Sequence, residues 1–513
     1  MSGLYSSSNM VCYGLMRSLP LADFTPALNH QSEVPLYRQL YERIALSIRS
    51  GNFPRGERLP ATRELAGLLG LNRATVSAAY DMLETAGLIA GQVGRGSFVT
   101  GQVTPSPAGS FDWAALLEPN ALPPSGPSGG FGGEVASFVM SRPARALFPL
   151  DDFRASCQAV LARPDLDAIL QLGSPSGYEP LRRHLIDEAR RQFLAAPGDD
   201  LLITNGCQQA LDLIARVLLR PGDTVAVEDP VYTGLKNLLL ANGAQLVGIP
   251  VGPDGMDVTH LQTSLDRSRP RFLVVTSNFQ NPTGATLPLA SRRVLLDAAR
   301  AARVPVVEND AYGELRYSGD PLPAIKQLDE SGSTVLLRSF SKVSFPGLRV
   351  GWVVGPKPLI DRLRQAKEAA DLHTDQLSQA VLLEFAESGR LDAHRARMLQ
   401  AGAERLAATL DACGRFLPSG TRYTHPHGGM NVWVRLPEPL DAGELLPRAQ
   451  KEGVAYIPGR YFAVSRQEPG ALRLSFAGLH PDQIRSGLAV LGRIVAEEIA
   501  RASQGAGPSS AMV

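Results

Sequence analysis

The chain has 513 residues, of which 44% are hydrophobic and 20% charged, with 51 basic against 50 acidic side chains. That length exceeds one ordinary core and predicts several domains of about 150 residues each. No run approaches the ~20 apolar residues that span a bilayer, so the expectation is a globular, cytoplasmic protein with no membrane partner.

Near the start, the apolar stretch MVCYGLM lacks a basic segment before it and is followed by Arg17, which argues against a secretory signal. Residues 1–33 read as a poorly ordered extension. Cys12, Cys157, Cys207 and Cys413 show no C-x-x-C spacing and read as free thiols.

A first domain is expected over 34–101. Leu36, Leu40, Ile44 and Ile48 recur every four residues on one helical face, closed by Gly51 and Pro54. A second helix begins near Thr62, read as its cap, buries Leu65, Leu68 and Leu69, and breaks at Gly70. Asn72 caps a third helix that turns Val76, Tyr80 and Leu83 inward and leaves Arg73, Ala74, Thr75 and Ser77 on its exposed first turn. LIAGQVGRGSFV then alternates around Gly94, Arg95 and Gly96, as a two-stranded wing would.

From Val34 to Thr100 there are eight arginines, no lysine and five acids, a net +3 in a chain whose total is +1. A helix pair of this kind presents the start of its second helix to the major groove of double-stranded DNA. Arg73 is placed to meet a guanine edge or a phosphate there, and Arg95 to enter the adjacent groove or grip phosphate. A small helical protein-interaction module is the other reading of the same architecture.

The phrases PLYRQLYERIALSIRSG, GERLPATRELA and NRATVSAAYDMLETAGLI resemble the winged helix-turn-helix of GntR-type bacterial regulators over the whole segment. The resemblance implies DNA contacts from Arg63, Arg73, Thr75 and Gly96. Ala61-Thr62 stands where that family most often has Ser.

Residues 102–137 are rich in Pro, Gly and Ser, too poor in apolar surface to fold alone, and read as a partly stiffened tether. Beyond them, short apolar runs (TVAVEDP, FLVVTSN, VPVVEND, TVLLRSF, RVGWVVG) alternate with helical stretches, the pattern of a mostly parallel sheet covered on both faces. Ligands bind such sheets at the carboxyl ends of their strands, where this chain places EDPVY, SNFQNPTG, ENDAY and RSFSK. TNGCQQALDLI puts Gly206, Cys207 and Gln208 at the start of an amphipathic helix, a natural anion site. His425 and His427 lack the further ligands a metal needs, and no metal is expected.

NPTG, then D-A-Y 29 residues later, then S-F-S-K with its lysine 32 residues after that aspartate, then P-G-L-R, resemble the pyridoxal-phosphate aminotransferases of fold type I over about 138–500. The fold implied is a large parallel-sheet domain (138–385) and a smaller C-terminal α+β domain (386–500), followed by a tail (501–513). The resemblance implies that Lys342 links to the aldehyde of pyridoxal 5'-phosphate and that Asp310 faces the ring nitrogen. It also implies that Asn281 and Tyr312 bond the phenolic oxygen and that Tyr232 stacks on the ring. Gly206, Cys207, Gln208, Ser339, Ser341 and Arg349 would hold the phosphate, and Arg473 a ligand carboxylate. Leu172 stands where the family often has a tyrosine that reaches the neighbouring subunit's phosphate.

Joined in one chain, the two halves resemble the MocR-type subfamily of GntR regulators. That combined resemblance implies a homodimer that binds promoter DNA, carries pyridoxal phosphate, and senses a small amine, an amino acid or the cofactor itself. A working aminotransferase with a DNA-binding appendix stays open, as does a scaffold with vestigial sites.

Overall fold

The computed structural model describes residues 35–49, 53, 55–92, 96–100, 126, 136–259 and 261–505, and the chain separates into two units, 1–120 and 121–513. The N-terminal extension, nearly all of the tether, the wing tip with Arg95, Gly51, Pro54 and the Leu68 side chain lie outside the described residues.

In the first unit, the four-residue apolar spacing forms α1 (Leu36–Arg49), followed by α2 (Thr62–Leu69) and α3 (Arg73–Thr85). Leu40, Ile44, Ile48, Leu65, Val76, Tyr80 and Leu83 are buried together. Asn72 caps α3, its Oδ1 accepting the Ala74 N–H at 3.0 Å. Thr62 is not the cap expected of it: Ala61 precedes α2 without any side-chain bond, and Thr62 already lies in the first turn. The buried Tyr80 ring keeps its hydroxyl satisfied by donating to the Pro60 carbonyl at 2.8 Å. β1 (Ile89–Gln92) and β2 (Gly96–Val99) pair antiparallel, with Gln92 opposite Gly96.

The second unit starts with β3 (Ala136–Ser137), ahead of the expected end of the tether, paired in parallel with Val454–Ala455. Next come β4 (Asp199–Thr204), β5 (Thr224–Asp229), β6 (Gln245–Gly252), β7 (Gly255–Met256), β8 (Leu273–Val275), β9 (Val306–Asn309), β10 (Thr334–Ser339) and β11 (Gly351–Pro356). They form one sheet of order β4-β11-β10-β9-β8-β5-β6-β7. The run from β10 to β6 is parallel, whereas β11 is antiparallel to both its neighbours.

Both faces are buried, as continuous apolar strands require. Val225, Val227, Val307 and Leu337 pack with Leu211 and Ile214 of the helix Gly206–Leu218. Ala226, Leu273 and Val306 pack on the other face with Leu295 and Ala298 of the helix Leu289–Ala302.

A smaller lobe holds β12 (Arg422–Tyr423), β13 (Asn431–Arg435), β14 (Val454–Ala455), β15 (Ile457–Pro458) and β16 (Ala471–Ser475), with an antiparallel sheet of order β12-β13-β16-β15. Helices Arg390–Phe416 and Pro481–Gly505 pack against it; the second continues past residue 500, where the tail was expected. Phe138 belongs to this lobe and not to the large domain where the sequence boundary put it. Its N–H bonds the Ala455 carbonyl at 2.8 Å, and its carbonyl accepts from Ser475 at 3.0 Å. The partners lie more than 300 residues away, beyond the reach of local pattern. Among the described residues no helix is long and apolar enough to cross a membrane.

Candidate functional site

At the carboxyl ends of β9 and β10 the second unit encloses a cavity of about 340 Å³. Lys342, Asn281, Tyr312, Tyr232, Cys207, Gln208, Ser339, Ser341, Arg349 and Arg473 all line it. Lys342 ends a short 3-10 turn, Phe340–Lys342, that β10 feeds directly; the Ser339 hydroxyl pins this turn by accepting the Ser341 N–H at 3.1 Å. The Lys342 ammonium donates to the Ser141 carbonyl at 2.7 Å and lies 5.2 Å from the centre of the Tyr312 ring. Asn281 ties two distant phrases together. Its Nδ2 donates to the Tyr312 hydroxyl at 3.3 Å, and its Oδ1 accepts from Arg473 at 3.0 Å.

One end of the cavity is built for an anion. The helix Gly206–Leu218 begins there without a side-chain cap, and the first N–H groups of a helix have no intrahelical partner. Arg349 sits beside it in the left-handed region, φ 56°, an uncommon conformation for a side chain of this size. Its guanidinium donates to the Asn205 and Pro346 carbonyls at 3.1 and 3.3 Å and approaches the Ser341 hydroxyl at 3.4 Å. A Cβ on Gly206 would lie 2.7 Å from that guanidinium, so only glycine lets the helix start come this close. Burial pushes the Cys207 thiol up to about 12 against the pull of Lys342 and Arg349. It is therefore neutral, and its contribution is its backbone N–H.

Arg473 stands at the other end, buried in β16. It donates to Asn281 and to the Val139 carbonyl and lies 5.0 Å from the centre of the Phe462 ring. Burial lowers its guanidinium to about 10, still charged at neutral pH, and its Nε is buried without a partner. An unused charged donor at a cavity wall is costly unless a ligand completes it.

Asp310 does not line the cavity, contrary to the sequence expectation. Arg338 holds its Oδ2 through two donors at 3.1 and 2.9 Å, and Asn278 holds its Oδ1 at 2.9 Å. Asn278 is itself anchored by the buried Arg292 at 2.7 Å. Besides Ala311 and Tyr312, the residue of that phrase which lines the cavity is Asn309. Sequence reasoning missed it, along with Ser141 and Thr276; strand alternation was the available signal for Asn309, and none existed for Ser141.

In the first unit, Arg63 and Arg73 are exposed and Thr75 is half-buried at the start of α3. Gly96 opens β2 at φ 103°, with the Arg58 guanidinium 3.0 Å from where its Cβ would stand. Arg58 is thus a further cation next to the wing, unmarked by any motif. Leu172, in the second unit, is 72% exposed.

The fold and cavity define a fold type I, aminotransferase-like unit in the same chain as a winged helix. The model for aminotransferase class I and II matches residues 154–491, and the model for the gntR family of bacterial regulatory proteins matches 36–99. The chain is 30% identical over 483 residues to the probable rhizopine catabolism regulatory protein MocR of Rhizobium meliloti, covering 90% of this chain and 94% of that one. It is 35% identical over 372 residues to aromatic-amino-acid aminotransferase 1 of Thermococcus litoralis, covering 71% and 89%. The solved structure of LysN, the α-aminoadipate aminotransferase of Thermus thermophilus complexed with N-(5'-phosphopyridoxyl)-L-leucine, superimposes with a TM-score of 0.68 at 36% identity, covering 72% and 94%. The chain belongs to the MocR-type GntR regulators, in which a winged helix-turn-helix is fused to an aminotransferase-like domain.

Proposed function

We propose that this regulator carries pyridoxal 5'-phosphate in the cavity, joined to Lys342, and that a small amine or amino acid entering there changes how a homodimer holds promoter DNA. The carrying observation is the convergence on one cavity of a single primary amine, an anion-binding helix start with Arg349, and a buried arginine with an unused donor. Orphaned polar atoms in its lining, Gln208 Oε1, Asn309 Oδ1 and Arg473 Nε, fit a polar occupant of this kind. The LysN structure contains a phosphopyridoxyl group on the same fold.

The bound cofactor supplies an aldehyde that captures primary amines reversibly. Around it, Lys342 would hold the aldehyde carbon. Asn281 and Tyr312 orient the phenolic oxygen, and Tyr232 covers the ring. The N–H groups of Gly206, Cys207 and Gln208 take the phosphate with Ser339, Ser341 and Arg349. Arg473 takes the carboxylate or comparable acid group of the effector. The exposed Leu170 and Leu172, 65% and 72% accessible, are suited to cover by a second copy.

On the DNA side, Arg63, Arg73, Thr75 and Gly96 form the reading surface, and the sequence adds Arg95, which lies outside the described residues, as a candidate contact. Arg73→Ala should weaken operator binding by about 1 to 3 kcal/mol while cofactor uptake stays unchanged. Fluorescence anisotropy with promoter DNA and an absorbance titration with pyridoxal phosphate measure the two. Unchanged DNA affinity would remove α3 from the groove. DNA affinity indifferent to cofactor and to every amine tested would reject the sensing role.

A further inference from the structure

We infer that Asn309, and not Asp310, is the side chain that meets the ring nitrogen of the bound cofactor, and that a neutral carboxamide there makes the cavity a capture site for amines and not a transamination site. The inference rests on the proposed binding of pyridoxal phosphate. It begins from the alternation of β9.

Val307 packs with Val225, Val227 and Leu337 on the face that carries the helix Gly206–Leu218, whose first turn lines the cavity. Val306 packs on the opposite face. Glu308 shares that opposite face, its carboxylate accepting the Ile325 and Lys326 N–H groups at 2.9 Å each and the Ser277 hydroxyl at 2.5 Å. Asn309 therefore shares the cavity face with Val307. Asp310, one residue on, turns back towards Asn278 and Arg338. Both carboxylates flanking Asn309 point away and are fully engaged.

The cavity lining contains three cations, Lys342, Arg349 and Arg473, and no carboxylate among the described residues. That charge set suits a phosphate and a ligand carboxylate. It offers no carboxylate in the lining itself to a protonated ring nitrogen. A carboxylate within about 4–6 Å would raise that nitrogen's pKa by about 1 to 3 units, and a carboxamide supplies no such charge. Asn309 Oδ1 is buried without a partner, so the side chain is free to turn and donate through Nδ2 to an unprotonated nitrogen.

Capture of an amine at the aldehyde does not need the ring nitrogen charged. Removal of the α-proton draws on the electron-withdrawing power of the protonated ring. The site thus keeps the groups needed for binding and lacks the one that promotes turnover, which is what a sensor requires.

The test uses the full chain loaded with pyridoxal phosphate labelled with nitrogen-15 in the ring, with NMR spectra recorded as pH is varied. Wild type should show an unprotonated ring nitrogen at pH 7. In Asn309→Asp the nitrogen's pKa should rise by about 1 to 3 units, while Asp310→Asn should leave it where wild type has it. A protonated nitrogen in wild type at pH 7, or a pKa that moves with Asp310→Asn and not with Asn309→Asp, would overturn the inference and leave the binding of pyridoxal phosphate standing. The wild-type spectrum alone decides the matter should either variant fail to fold. A wild-type chain that takes up no cofactor would overturn the proposed function and this inference with it.

Discussion

Lys342→Ala should abolish covalent retention of pyridoxal phosphate. Among the cavity-lining residues only Lys342 offers a primary amine. The other buried lysines are committed elsewhere: Lys236 to the Tyr461 and Ala463 carbonyls at 2.7 and 2.9 Å, Lys326 to Asp199 at 2.8 Å, and Lys367 to Asp371 at 2.6 Å. The variant loses one donor to the Ser141 carbonyl and should remain folded. Gel filtration and absorbance together should find no visible chromophore travelling with the variant. Chromophore retained at the wild-type stoichiometry would show that another group holds the cofactor.

The second large effect concerns stability. Arg338→Leu should lower the unfolding free energy of the second unit by about 3 to 5 kcal/mol, because it strands a buried carboxylate. The Asp310 side chain is 1% exposed and that of Arg338 18%, so solvent cannot replace the lost partner. Adding Asp310→Asn to Arg338→Leu should recover part of the loss, since the stranded charge goes with it. Urea unfolding monitored by tryptophan fluorescence reports both; a loss below about 1 kcal/mol in the single variant would mean that the pair does not hold Asp310 off the cavity.

These two residues also mark where the sequence stops being legible. Periodicity suffices for the three helices of the first unit, because Leu40, Ile44 and Ile48 repeat at the helical step and every partner lies within sixty residues. The parallel sheet is equally legible, since buried strands read as short apolar runs between helices. Most of the cavity residues can be found because each lies in a compact phrase at the end of such a strand.

The departures from the sequence reading have other origins. In ENDAY a preference for a carboxylate selects Asp310 for the ring nitrogen, the role we infer for its neighbour Asn309. Strand alternation sends the Asp310 side chain to the opposite face, where Arg338, 28 residues on, engages it. The Lys342 contact with Ser141 spans 201 residues and carries no motif at either end. The placement of Phe138 in the small lobe likewise depends on a strand more than 300 residues later. Thr62 reads as a cap because a hydroxyl one residue inside a helix has the same local composition as one at its boundary.

The covalent attachment proposed at Lys342 underlies both the proposed sensing role and the proposed capture of amines. Borohydride reduction of the full-length protein saturated with pyridoxal phosphate, with proteolysis and mass mapping of the product, tests it most directly. The phosphopyridoxyl mass should appear on the peptide containing Lys342 and on no other. Its absence from that peptide, or its presence on peptides containing Lys236, Lys326 or Lys367 instead, would contradict the attachment and the role built on it.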